Sequence, residues 1–198
     1  MLHHKYICQL HDSPLLFTAP HSKSLVRGGT NHSIEEEVHK KELYTATIVC
    51  DLARNVLNSS FIFWGTEEDE KNPDRDPNFM LEEYFPESPF HQALHYWARA
   101  SREQPLLHVD IHGKADREND CDIDIGIKCM EVHWKGDNLV KEIRKFFDNF
   151  GNIFPDLIIK GHQCKFNAHP ARLSGYWGGK EHTMTEQAIK LGIPSFQL

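Results

Sequence analysis

The run Leu106-Leu107-His108-Val109-Asp110-Ile111-His112-Gly113 is a short apolar stretch closed by a histidine and a glycine. A run of that length and composition, bounded by a turn signal, reads as a strand of the buried type. A second run of the same form, Leu15-Leu16-Phe17-Thr18-Ala19, ends in Pro20-His21. Further strands are expected at 61–64, stopping at Gly65, at 157–159 and at 194–198, and a half-buried one with period two at 122–127. Residues 5–10 and 14–19 suggest two strands or a hairpin. Helical patterns separate these runs. Ser33 and Glu36 have capping-box spacing and open a long helix to about Leu57, with Ile34, Val38, Glu42, Thr45, Val49, Leu52 and Val56 on its inward stripe. Residues 89–100 read as a helix, Asp137 caps another that carries Leu139, Val140, Ile143, Phe147 and Phe150, and Thr183 with Glu186 caps a last one closed by Gly192. Strands that alternate with helices argue for an α/β domain of three αβα layers around a mixed, mostly parallel sheet. The 198 residues fit one domain, 1–198.

Composition narrows the function. A net charge of -7 argues against a dedicated nucleic-acid binder, which needs clustered positive charge. No apolar run approaches the ~20 residues of a membrane-spanning helix. The 5 cysteines form no CxxC pair and read as reduced thiols, and the first ten residues hold no secretory signal, so the expected location is cytoplasmic. A cysteine hydrolase built on Cys164 and His162 lacks the strand-to-helix elbow of an activated nucleophile. The 14 histidines are the excess to explain, because histidine is the commonest metal ligand.

His21 and His112 occupy equivalent positions past two strands, and ligands of open parallel sheets collect outside the carboxyl ends of their strands. Glu42 is the third candidate, since an acid on a buried stripe is costly unless paired, protonated or coordinated. Two histidines, a carboxylate and a water make an open catalytic zinc sphere. Spacing alone does not separate Glu42 from His39 or Glu37 as the third ligand. Asp110, two residues before His112, is placed to orient that imidazole.

Ala19-Pro20-His21-Ser22, Asp110-Ile111-His112-Gly113 and Ile193-Pro194-Ser195-Phe196-Gln197-Leu198 resemble the N-formylglutamate amidohydrolase family, as do Pro89-Phe90-His91 and Asp122-Ile123-Asp124-Ile125-Gly126. The likeness runs from about residue 16 to 198. It implies a zinc-carboxypeptidase-like (phosphorylase/hydrolase-like) fold and one zinc ion held by His21, Glu42 and His112, with Glu42-Leu43-Tyr44-Thr45 repeating a Glu-x-x-Thr pattern of related metallohydrolases. The implied reaction is hydrolysis of the amide bond of an N-acylated amino acid such as N-formylglutamate. A carboxypeptidase-like peptide hydrolase on the same site, or an inactive metal-binding homologue, are the alternatives. Asp110 and Arg117 are the residues expected to serve catalysis. A small substrate carrying a carboxylate needs an arginine fork, for which Arg75, Arg117 and Arg172 are candidates, and His182 is a further substrate contact. Two departures stand out: Lys23 where the family has Gly, and a last strand ending at Leu198 where the family continues into a Glu that resembles the carboxypeptidase general base.

Overall fold

A computed structural model describes residues 6–27, 37–65, 75–114, 121–153, 157–159, 161–167 and 174–198. Along the chain come strands β1 (Tyr6–Gln9), β2 (Leu15–Ala19), β3 (Leu25–Arg27) and β4 (Glu37–His39), helix α1 (Thr45–Asp51) and β5 (Ser60–Trp64). Helix α2 (Pro89–Ala100) and β6 (Leu107–Asp110) follow, then β7 (Ile123–Asp124), α3 (Lys128–His133), α4 (Asn138–Asp148) and α5 (Phe150–Ile153). The chain finishes with β8 (Ile158–Ile159), β9 (His162–Gln163), β10 (Phe166–Asn167), α6 (Met184–Lys190) and β11 (Ser195–Gln197).

Five strands form the main sheet in the order β1-β5-β2-β6-β11. The β5–β2, β2–β6 and β6–β11 pairs are parallel, and only the edge strand β1 runs antiparallel to its neighbour β5. The sheet is therefore mixed and mostly parallel, and the chain is an α/β protein. The first two strands are not a hairpin, because β5 inserts between them. Nor does β8 join the main sheet: it pairs with β9.

Side chains alternate across the sheet, as the pleat requires. Phe17, Ala19, Phe61, Val109 and Ile111 pack with Val49 and Ala53, from α1 and the π-helical turn that follows it. Leu16, Ile62 and Trp64 face the other way, onto Phe90, Ala93, Leu94 and Trp97 of α2 and Met184 and Ala188 of α6. Caps fix the helix ends. Ser88 accepts from His91 N at α2, Asp137 from Leu139 N at α4, and Thr183 with Glu186 forms a complete capping box at α6. Among the described residues no helix is long and apolar enough to cross a membrane.

The long helix expected from Ser33 to Leu57 is corrected. Residues 37–39 are a strand paired antiparallel with β3, and α1 begins only at Thr45, after Tyr44 at φ 68. Long-range bonds override the local pattern here: Glu42 N donates to His21 O at 2.8 Å, and the Glu42 side chain is drawn to the ends of β2 and β6. Ser33, Ile34 and Glu36 lie outside the described residues.

Candidate metal centre

β2 and β6 are parallel neighbours with Thr18 opposite Asp110, so the chain leaves both strands at the same end of the sheet. His21 and His112, just beyond, have ring centroids 4.6 Å apart. Glu42 lies against both. Its Oε1 is 3.0 Å from His21 Nδ1, and its Oε2 is 3.1 Å from His112 Nδ1 and accepts from Gly113 N at 2.8 Å. His39, at the end of β4, closes the group from the third side. Its Nε2 is 3.5 Å from Glu42 Oε1 and its ring centroid is 4.1 Å from that of His21. This Nε2 is buried with no hydrogen-bond partner among the described residues.

The outward nitrogens are tied as firmly as the inward ones. His21 Nε2 meets both oxygens of Asp76, at 2.9 and 3.0 Å, and His112 Nε2 lies 2.9 Å from Asp110 Oδ2. Asp76 is 1% exposed and Asp110 is 0% exposed, so neither carboxylate is a loosely held surface group. Metal-bound histidines characteristically give their second N–H to such a partner, which fixes tautomer and ring orientation.

Charge is concentrated here. Burial alone would raise the Glu42 pKa, but hydrogen bonds with His112 and His21, and the neighbouring His39 imidazole, outweigh it and hold the carboxyl well below its ordinary value. Burial opposes a charged His112, yet Asp110 and Glu42 more than compensate and push it up to about 10. Three carboxylates among three imidazoles thus favour positive charge at this spot, and a divalent cation is one way to supply it. His21, His39 and Glu42 could hold a metal ion, since one donor atom from each lies within 4.8 Å of the others.

The structure thus brings His21, Glu42 and His112 together and adds His39, the ligand alternative, to the same cluster. Glu37 lies in β4, two residues before His39. Asp110 sits beneath His112, away from solvent. Arg75 is exposed, with its guanidinium 4.6 Å from the Tyr84 ring centre. His182 contacts Met80, Phe85, Glu186, Gln187 and Lys190, on the α6 side. Arg117 and Arg172 lie outside the described residues. Lys23 is 5% exposed with its Nζ 4.7 Å from the Trp64 ring centre. The Cys164 thiol has its pKa raised by burial and Asp122, the reverse of an activated nucleophile.

Asp76 and Asn78 fall at the end of a charged stretch, 67–78, whose sequence reads as an exposed loop. Asp76 instead turns in to His21, and Asn78 Nδ2 lies 3.2 Å from His112 Nε2 while its Oδ1 accepts from Met184 N. The Asp76-Pro77-Asn78 turn signature was the available clue.

No protein-family model, curated protein or solved structure matches the chain.

Proposed function

We propose that the chain is a zinc-dependent amidohydrolase acting on an N-acylated amino acid, of which N-formylglutamate is the type. One observation carries this reading: two strand-end histidines turn Nδ1 toward a shared carboxylate while each Nε2 is held by a buried aspartate. His21, Glu42 and His39 or His112 would hold the ion, and an imidazole and carboxylate donor set suits zinc. When bound, zinc supplies Lewis-acid polarisation of a carbonyl and acidification of water. The chain's own residues do the rest. Asp76 and Asp110 keep the two rings in one orientation, and Gly113 N–H steadies Glu42 Oε2. Arg75, which directly precedes Asp76, is a candidate to meet a substrate carboxylate, as are Arg117 and Arg172.

The test is metal analysis joined to substrate assays. Purified protein is expected to carry about one equivalent of zinc, lost in His21→Ala and in His112→Ala, and to release amino acid from N-formyl or N-acetyl substrates until a chelator is added. Protein that neither retains nor rebinds zinc overturns the metal reading. Zinc without hydrolysis marks an inactive metal-binding homologue, and cleavage confined to peptides marks a carboxypeptidase-like enzyme.

A further inference from the structure

Beneath the cluster, a chain of buried polar side chains crosses three adjacent strands. Ser195 Oγ of β11 lies 2.7 Å from His108 Nδ1 of β6, and His108 Nε2 lies 3.0 Å from Thr18 Oγ1 of β2. Thr18 donates to Asp110 Oδ1, and Asp110 Oδ2 lies 2.9 Å from His112 Nε2. Ser195, His108, Thr18 and Asp110 are all 0% exposed.

The proton inventory gives this chain one direction. Thr18 has a single hydroxyl proton and gives it to the carboxylate, so its oxygen accepts from His108 Nε2–H. His108 is neutral, because burial holds its pKa down to about 4. Its Nδ1 is then an acceptor, and Ser195 O–H donates to it. Every bond points from Ser195 toward Asp110. The far end of that chain has two contenders, since Asn78 Nδ2 also approaches His112 Nε2, at 3.2 Å, with only N–H to offer. One nitrogen cannot serve both. Asp110 is nearer, and the Thr18 hydroxyl holds it as an acceptor, so His112 Nε2 carries a proton and Nδ1 is the nitrogen turned toward Glu42.

We propose that Thr18, His108 and Ser195 are positioning residues of the metal centre: they lock Asp110 as the acceptor of His112 Nε2–H and so present His112 Nδ1 to the ion. The inference rests on the metal reading of the cluster and extends it to three side chains that touch no ligand.

Zinc affinity, measured by competition with a chromophoric chelator, tests the role. Thr18→Val keeps shape and loses the hydroxyl, so affinity is expected to fall roughly tenfold to a hundredfold, while Thr18→Ser stays near wild type. Ser195→Ala, two bonds further from Asp110, falls less than Thr18→Val. A folded Thr18→Val that binds zinc as tightly as wild type overturns the proposal while leaving the metal reading intact, whereas a wild-type chain that binds no zinc removes both. Should Thr18→Val fail to fold, nitrogen NMR of the wild-type imidazoles in chelator-treated protein decides. His108 is expected with its proton on Nε2, and a proton on Nδ1 reverses the chain and overturns the proposal.

Discussion

The two faces of the central strands are built from alternate residues of the same chain and differ in kind. Toward α1 the sheet presents Phe17, Ala19, Phe61, Val109 and Ile111, an unbroken apolar surface. One residue along in each strand, toward α2 and α6, it presents Thr18, Ser60, His108, Asp110, Ser195 and Gln197 among Leu16 and Ile62. A parallel sheet covered on both faces is ordinarily apolar on both, and a buried polar group is costly unless it is hydrogen-bonded. Here Thr18, His108, Asp110 and Ser195 are bonded to one another and lead to His112. The face toward α1 is apolar throughout, whereas the face toward α2 and α6 combines a second core cluster with a chain of polar side chains that ends at His112.

The largest effect that can separate the faces is a truncation on the apolar side. Phe61 is 0% exposed, stacks on Phe63 at 5.7 Å and lies at the centre of the cluster beneath α1. Phe61→Ala is expected to cost about 3–5 kcal/mol in urea unfolding, the range for a buried phenylalanine whose site cannot collapse. Zinc affinity of the folded protein should stay at the wild-type value, because Phe61 packs beneath α1, on the opposite face of the sheet from Thr18, His108 and Asp110. A parallel loss of zinc affinity would show that the division between the faces is wrong.

A pH titration probes the polar side. Burial is the main reason that His108 falls from the ordinary 6.5 to about 4, with His112 acting in the same direction and Asp110 against it. The unfolded chain takes up a proton below pH 6.5, whereas the folded chain refuses one until pH approaches 4. The contribution of this histidine is therefore complete above pH 6.5 and is lost as pH falls from there to 4, by about 3 kcal/mol in all. Unfolding of chelator-treated wild type and His108→Gln, followed across that window, should show the extra loss in wild type alone. Parallel curves would mean that His108 accepts a proton in the folded state and that the polar face is open to water.

These same faces explain what could be read in advance. The strand-end histidines were legible because both runs, 15–19 and 106–111, are short, apolar and abruptly ended, and parallel neighbours place their ends together. α2 at Pro89–Ala100 and the capping box at Thr183 follow from local signals and lie where those signals put them. The sequence points to Glu42 through a helical stripe, yet residue 42 precedes α1 and no stripe exists there. Its carboxylate is at the site because His21, His112 and the Gly113 amide bind it. Asp76 had no periodic signal at all: a carboxylate in a charged stretch looks solvated until a partner 55 residues away is known. His108 and Thr18 passed as ordinary strand residues, because a two-residue period says which face a side chain occupies but not what it meets across the sheet.

Gly113→Ala offers the finest division, at the point where the polar face reaches the cluster. A methyl group at this position would stand 3.0 Å from Glu42 Cβ and 3.6 Å from its Cγ, while the Gly113 amide donates to Glu42 Oε2 at 2.8 Å. The backbone thus approaches Glu42 more closely than a side chain permits, and one side must yield by a few tenths of an ångström. Glu42 is the side that can move, because Gly113 is anchored through the His112 amide, which donates to Leu198 O at 2.6 Å. Displacing Glu42 separates its oxygens from His21 and His112 without disturbing either apolar cluster. Zinc affinity is expected to fall roughly tenfold, equivalent to about 1.4 kcal/mol, while the unfolding midpoint of chelator-treated protein moves far less than in Phe61→Ala. Unchanged affinity would show that the cluster tolerates a displaced carboxylate, so that His39 and the two strand-end histidines carry the ion by themselves. Glu42 would then belong with the residues that orient the rings, beside Asp76 and Asp110, and the polar face would end at His112.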